Sequence, residues 1–317
     1  MSIGFMSDAR LTSAKETFLL DCKAADLSKK TLRGYRDVLT KFIQFTGEMT
    51  VQDLKPDHVR TYIAYLSERP GRYGEFSSHS LAKHYAVIRV WIRWLYAQKM
   101  ITERITDNVK PPRLSQRVPQ ILTTEELDDL FTDLKKKKRF RDLVIFELFW
   151  DTGLRLQEVA SLTIDDVNID GGWIHVIGKG DKEDVVPIGA QVCRDLFAYI
   201  NMHRKPALEQ ERAVFLSDHG PTRGYALGYE GLAIMVRREL SRIRKVKGKR
   251  GAHIMRHTAG TDMIRGGASV EHVRRVLRQN DTRVTQIYLH LANEDLLAAH
   301  RTASPVDRAK TKSPRRR

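Results

Sequence analysis

One β-rich stretch interrupts an otherwise helical pattern in this chain: GGWIHVIGKGDKEDVVP, residues 171–187. Aromatic and β-branched residues form two runs, 173–177 and 185–188, with Gly178, Gly180 and Asp181 between them. Two such runs joined by a glycine-containing turn are typical of an antiparallel hairpin. The stretch therefore predicts a small antiparallel sheet inside a domain that is otherwise helical.

Lys179 lies at the tip of this predicted hairpin, between Gly178 and Gly180. Glycine neighbours let the backbone approach a ligand closely and leave the ammonium group free to reach it. A lysine in such a turn is more often an ordinary surface residue, so Lys179 alone indicates little.

Upstream of the hairpin, the segment DTGLRLQEVASL, residues 151–162, places Arg155 at the start of a helix. Gly153 marks a turn, and apolar residues then recur at helical spacing. An arginine beside the free N–H groups of a helix start suits a phosphate, and Glu158 lies one turn further on, where it could orient the guanidinium. The simpler interpretation, a solvated surface arginine, stays open on this segment alone.

Downstream of the hairpin, the segment HIMRHT begins at His253. The spacing of three residues puts His253 and Arg256 on one helical face. A structural role is a reasonable alternative for His257 and His290, less so for His253. Further on, Tyr288 lies in TQIYLHL; most tyrosines are amphipathic packing residues, so Tyr288 by itself proves nothing.

The first hundred residues predict four amphipathic helices. Ser28 is a plausible N-cap with Gly47 at the helix end, Pro56 opens another helix, and a longer one follows Ser77. Residues 106–119 are proline-rich and basic and predict an exposed linker, after which Thr123 and Glu126 form a capping box. We therefore expect an N-terminal helical domain at 1–105, a linker at 106–119, a second domain at 120–300 and a basic, disordered tail at 301–317.

Composition limits the class of protein. The 317 residues carry a formal charge of +16, which favours a polyanionic partner, with nucleic acid ahead of an anionic membrane. Only two cysteines are present, Cys22 and Cys193, too few for a disulfide framework or a zinc site. No signal peptide and no membrane-spanning run is evident, so a cytoplasmic, nucleoid-associated bacterial protein is expected.

Taken in chain order, these segments resemble the signature of the tyrosine recombinases, the family of phage integrases and Xer recombinases. TGLRLQEVASL is similar to the first arginine box, IGKGDKEDVVPI to the catalytic lysine hairpin, HIMRHTAGTDMIRGG to the His-x-x-Arg box, and TQIYLHL to the nucleophile box. The resemblance covers the second domain from residue 119 to about residue 300, and the helical N-terminal domain resembles the family's SAM-like core-binding domain. It implies a C-shaped clamp around DNA.

The resemblance also implies the chemistry. Tyr288 would attack a phosphodiester to form a 3′-phosphotyrosine, Arg155 and Arg256 would stabilise the charged phosphate, His253 would take the phenol proton, and Lys179 would protonate the leaving 5′ oxygen. The covalent product stores the bond energy, so no ATP, metal or other cofactor is expected.

One departure from the family pattern lies nine residues before Tyr288. The family usually has Leu-Gly-His there, or a tryptophan in the third place, whereas this chain has Leu277-Arg278-Gln279. Gln279 can still donate a hydrogen bond to a phosphate but cannot carry charge or act as an acid. The departure favours a recombinase of a mobile element over a housekeeping Xer protein.

The expected partner is double-stranded DNA with paired inverted-repeat core sites, bound by a tetramer in the synapse and by a monomer or weak dimer off DNA. Integration, excision and resolution are all compatible with this sequence. Two other functions stay open: a type IB topoisomerase, which shares the pocket but exchanges no partners, and a DNA-binding protein whose site has decayed at Gln279.

Overall fold

The computed structural model describes residues 9–71, 74–115, 119–178, 182–243 and 251–279. In these ranges the chain is mainly α-helical, with five short β-strands. The Cα positions divide the chain into two compact units, residues 1–117 and 118–317. The prediction of a mainly helical protein with a small antiparallel sheet is confirmed, whereas the predicted domain limits and clamp shape stay predictions.

Four helices build the first unit, as the sequence predicts: α1 (Leu11–Ala24), α2 (Lys29–Thr46), α3 (Pro56–Glu68) and α4 (Ser78–Ala97). Their ends follow local chemistry. The hydroxyl of Ser28 accepts a hydrogen bond from the backbone N–H of Thr31, and Ser77 caps α4 in the same way. Gly47 ends α2 with a φ of +79°, a conformation that favours glycine. A two-residue ribbon that the sequence did not predict, β1 (Pro70–Gly71) with β2 (Gly74–Glu75), precedes α4.

An aromatic centre holds the first unit together. Trp91 on α4 is fully buried, and the Phe42 ring of α2 lies 6.4 Å from it and 5.2 Å from Tyr62 of α3. Thr106 and Val109, at the start of the expected linker, are also buried. Val109 thus packs into this core instead of lying exposed, because its side chain is apolar and its carbonyl accepts a hydrogen bond from the hydroxyl of Tyr85. Asp107 and Asn108, between Thr106 and Val109, are exposed.

The second unit is built around one apolar helix. Its helices are α5 (Thr124–Lys136), α6 (Phe140–Thr152), α7 (Leu156–Ser161), α8 (Ala190–Ala198), α9 (Tyr229–Arg242), α10 (Ala252–Arg265) and α11 (Val270–Val276). The predicted capping box opens α5: the backbone N–H of Glu126 donates to the Thr123 hydroxyl, and the N–H of Thr123 donates to the Glu126 carboxylate. Helix α6 packs against α5, α8 and α10, and Phe146 and Phe149 are fully buried.

The predicted hairpin is present, and it has a third strand. Strand β4 (Trp173–Ile177) pairs antiparallel with β5 (Glu183–Pro187), and β3 (Val167–Asn168), which the sequence did not predict, pairs with β4 on its other edge. Ile174, Val176 and Val186 face the core, as the two-residue period of a strand requires.

Two polar contacts fix α10 against the rest of the second unit. The backbone N–H of Leu122 donates to the hydroxyl of Thr258 at 2.9 Å, and the indole of Trp150 on α6 donates to Asp262 at 2.8 Å. Hydrogen bonds at Thr258 and at Asp262, one turn further on, therefore hold α10 against the rest of the unit. Within the described ranges, no helix combines the length and the apolar character that crossing a membrane would need.

Candidate active site

Four of the six residues that the sequence singles out can be placed: Arg155, His253, Arg256 and Gln279. Lys179 and Tyr288 lie outside the described residues. The structure brings the two arginines and Gln279 together around one chain corner, residues 277–279, which follows α11.

Arg155 is the N-cap residue of α7, as predicted, and its side chain is 38% exposed. Its Nη1 donates to Glu158 Oε1 at 2.8 Å, and its backbone N–H donates to Glu158 Oε2 at 2.7 Å. Its Nη2 donates to the carbonyl of Arg278 at 3.0 Å. The guanidinium is thus held on two sides while part of it faces solvent, where a ligand could reach it.

Arg256 is buried in the first turns of α10, with 5% of its surface exposed. Its Nη1 donates to the carbonyl of Gly153 at 2.5 Å, and its Nη2 donates to the carbonyl of Leu277. Burying a guanidinium is costly unless its donors are paired, and these backbone acceptors provide that pairing. The side chain therefore links the turn before α7 to the corner after α11.

The corner itself is a tight turn that is buried at Leu277 and partly exposed at the next two residues. Leu277 is fully buried, Arg278 has a φ of +50°, and the backbone N–H of Gln279 donates to the carbonyl of Arg274 at 3.1 Å. Since the carbonyls of Leu277 and Arg278 accept from Arg256 and Arg155, the corner braces both guanidiniums at once.

Glu158 is the anion of this site. It is 3% exposed and accepts hydrogen bonds from both the backbone and the side chain of Arg155, so the predicted contact between these residues is present. It also accepts from Nη2 of Arg278 at 2.6 Å. Sequence reasoning missed this last residue, although an arginine in place of the family's glycine was a signal that could have found it.

His253 and His257 lie one turn apart on α10, with ring centroids 6.2 Å apart. Partial burial of the His253 ring lowers its pKa, and the positive charges of Arg256 and Arg155 lower it further. Burial, His253 and Arg256 lower the pKa of His257 to about 4. Both rings are therefore neutral at pH 7. The His253 side chain, although partly buried, reaches the surface and is available to accept a proton.

The base of the β4–β5 hairpin is well defined although its tip is not described. The backbone N–H of Gly178 donates to the carbonyl of Lys182 at 2.7 Å, which is the last described hydrogen bond before residues 179–181. Ile177 and Val185 on the outer face are about half exposed.

The arrangement suits a tetrahedral oxyanion. Two fixed guanidiniums, an amide side chain at the same corner and a neutral imidazole lie on elements that the core holds rigidly. Guanidiniums held in advance stabilise charge that develops on a phosphate without reorganising during the reaction. The described residues include no group of three or more His, Cys, Asp and Glu side chains placed to hold a metal ion.

Comparison with known proteins identifies the class. The model of the "Phage integrase family" matches residues 120–295, and that of the "Phage integrase, N-terminal SAM-like domain" matches residues 17–99. The chain belongs to the phage integrase family, the tyrosine recombinases, whose activity is site-specific DNA recombination.

Individual relatives agree with this class. Tyrosine recombinase XerD of Pasteurella multocida is 30% identical over 298 residues, which cover 88% of this chain and 93% of the relative. Two solved structures share the fold. The XerH site-specific recombinase bound to palindromic difH substrate, a post-cleavage complex, has a TM-score of 0.68 at 20% identity and covers 90% of this chain and 82% of its own. A lambda integrase dimer bound to a COC′ core site has a TM-score of 0.69 at 16% identity; the match covers 90% of this chain and 79% of the lambda integrase chain.

Proposed function

We propose that this recombinase cleaves and rejoins DNA strands through a covalent bond between Tyr288 and a 3′ phosphate, at paired inverted-repeat core sites. The observation that carries the proposal is the convergence of Arg155 and Arg256 on the corner at 277–279, nine residues before the tyrosine. This convergence supports a phosphate site at the corner, because two guanidiniums contact residues 277 and 278, which precede Tyr288 in the sequence.

In this reaction the phenolate oxygen of Tyr288 forms a bond to phosphorus, and the bond from phosphorus to the 5′ oxygen breaks. His253 accepts the phenol proton, Lys179 donates a proton to the 5′ oxygen, and Arg155, Arg256 and Gln279 stabilise the charged phosphate. Rejoining is the same exchange in reverse, with a 5′ hydroxyl as the nucleophile. The number of phosphoester bonds is unchanged, so no external energy source is needed.

Support for His253 as the proton acceptor comes from its electrostatic surroundings. A phenol has an ordinary pKa of about 10 and is a poor nucleophile at pH 7 unless a base takes its proton. The lowered pKa of His253 keeps the imidazole in the neutral form that can act as this base.

The DNA partner follows from charge and from the relatives. The chain carries +16, and the XerH and lambda integrase structures hold DNA, the latter as a dimer on a core site. We infer that this chain binds duplex DNA as a multimer, with a tetramer in the synapse and a monomer or weak dimer off DNA. Its setting would be the bacterial cytoplasm, at the nucleoid, and its task the integration, excision or resolution of a mobile element.

Covalent capture tests the function. Duplexes with a randomised core and a nick that lets the cleaved fragment escape are incubated with the protein, and denaturation-resistant adducts are isolated and sequenced. We expect adducts that converge on inverted repeats, and strand exchange between two selected sites, which a topoisomerase would not perform. Absence of any adduct would overturn the proposal.

Tyr288→Phe should abolish this adduct while binding to the selected duplex stays within about twofold, because only the nucleophilic oxygen is removed. The matched control is Tyr229→Phe, since Tyr229 is an exposed tyrosine of the same unit and its variant should still form the adduct. An adduct formed by Tyr288→Phe would show that another residue is the nucleophile.

A further inference from the structure

Arg278 destabilises the fold in two ways, through its backbone conformation and through the burial of its guanidinium. Its φ of +50° lies in the left-handed region, which disfavours a residue with a β-carbon and suits glycine. Its side chain is 9% exposed, and its buried Nε has no hydrogen-bond partner within the described residues. A strained backbone and a buried, incompletely paired guanidinium persist only where another interaction outweighs them.

The compensating interaction is the ion pair with Glu158, whose carboxylate is shared by two arginines. Nη2 of Arg278 lies 2.6 Å from Oε2, and Nη1 of Arg155 lies 2.8 Å from Oε1. One carboxylate balances one guanidinium, so the group of Arg155, Glu158 and Arg278 retains one net positive charge. Without Arg278, Glu158 would neutralise Arg155, and the phosphate site would lose the charge that this arginine supplies.

The same pair also fixes the geometry of the corner. The backbone carbonyl of Arg278 accepts from Nη2 of Arg155, and the next residue is Gln279. The Arg278 side chain is anchored to Glu158 on α7. This anchor therefore keeps two neighbouring backbone groups at a constant distance from Glu158: the Arg278 carbonyl, which accepts from Arg155, and the Cα of Gln279. Residues that contact the ligand-binding side chains, and not the ligand itself, determine how well those side chains are positioned.

We propose that Arg278 is a positioning residue for DNA cleavage: through Glu158 it holds Arg155 in place and keeps the phosphate site positively charged beside the neutral Gln279. This inference rests on the proposed function. It predicts that the side chain of Arg278 affects the rate of the chemical step more than the affinity for DNA, because the guanidinium faces Glu158 rather than solvent.

Single-turnover cleavage of the captured nicked duplex, with protein in saturating excess, tests the proposal. Arg278→Gly relieves the φ strain and removes the charge, so we expect thermal stability to be preserved, affinity to change by less than about threefold, and the rate at saturation to fall by about tenfold or more. Arg278→Lys should recover part of the rate, since an ammonium group restores the charge facing Glu158.

The matched control is Arg275→Ala. Arg275 lies in α11, three residues before Arg278, its side chain is 78% exposed, and it pairs with Glu271 instead of Glu158. This variant removes the same charge from the chain and should leave the rate constant unchanged. An Arg278→Gly protein that cleaves as fast as the parent would overturn the proposal, and so would an equal loss in Arg275→Ala. If the parent itself forms no adduct, the proposed function fails instead.

Discussion

At the scale of single residues, the site is organised by the pairing of charges. Glu158 binds two arginines, and the buried Arg256 is satisfied by backbone carbonyls. Each guanidinium therefore has its orientation fixed before any phosphate arrives. The departure from the family pattern at position 279 is that a neutral amide, Gln279, stands where the family usually has histidine or tryptophan.

Gln279→Ala should slow cleavage if, as we propose, the amide donates to the phosphate in place of the usual histidine or tryptophan. Loss of one donor to a developing oxyanion costs on the order of 10²–10³ in rate. Gln279→His should keep or raise the rate. Single-turnover kinetics on the captured duplex measure both, and an alanine variant as fast as the parent would show that the phosphate is held without this side chain.

The pH dependence of cleavage should report His253. A base must be neutral, and the pKa of His253 is lowered by burial and by the two arginines, so the rate should be constant around pH 7 and fall only as the pH drops below the ordinary histidine value of about 6.5. The His253→Gln variant should cleave more slowly than the parent, and its rate should no longer fall at acidic pH. The His257→Gln variant should retain this fall in rate, because the pKa of His257 is already about 4. A fall at acidic pH that persists in His253→Gln would assign it to another group.

At the scale of the elements, α10 and the corner after α11 meet at Gly153, in the turn between α6 and α7. This residue ends α6 with a φ of +59°, and a β-carbon there would lie 2.2 Å from Cδ2 of Leu277. The close approach lets the Gly153 carbonyl reach Arg256 and lets the corner at 277–279 sit against the start of α7. A glycine is thus required for two reasons, its backbone conformation and its lack of a side chain.

Gly153→Ala should destabilise the protein by more than backbone strain alone, because overpacking a core typically adds about 1–3 kcal/mol. Gly220→Ala is the matched control: its φ is +69°, but a β-carbon there meets nothing within 4 Å, so it carries only the strain of about 1–2 kcal/mol. Chemical denaturation of the two variants gives the comparison. Equal losses of unfolding free energy would mean that Leu277 moves aside without cost.

At the scale of the whole molecule, charge is the dominant feature. The excess of 55 basic over 39 acidic residues gives +16, and basic residues occur in both units. From a charge of this size we expect phosphate contacts to be the main source of binding free energy, whatever the DNA sequence.

Binding to duplex DNA should therefore weaken steeply with salt, with a slope in log Kd of about 0.9 per phosphate contacted. Titrations of the full chain at several salt concentrations, on the captured duplex and on an unrelated one, measure the slope. We expect both duplexes to show a steep dependence and to differ mainly in affinity at a given salt. A slope near zero on the captured duplex would contradict a phosphate-dominated interface.

The sequence by itself determined the class of fold, the four N-terminal helices and the place of the β4–β5 hairpin among the later helices. Some features depend only on contacts between residues that are close in the sequence, and these can be predicted from the sequence alone. They are the N-caps Ser28 and Thr123 and the hairpin at 171–187. The same holds for Arg155 at the start of a helix and for His253 and Arg256 on one face. Family resemblance added the roles of the six site residues, and all of these roles stay predictions. Lys179 and Tyr288 also lie outside the described ranges.

Only the tertiary structure decided which groups meet. Arg278 and Glu158 are 120 positions apart, and Arg256 and Gly153 are 103 apart. No local pattern encodes such contacts, because they depend on how α7, α10 and α11 pack. The strand β3 was missed for a similar reason: two residues carry too little periodicity, and only pairing with β4 defines them. The helices of this chain are thus specified by hydrogen bonds between residues a few positions apart. The candidate active site is specified by long-range packing, which brings Arg278 next to Glu158, the carboxylate that also binds Arg155.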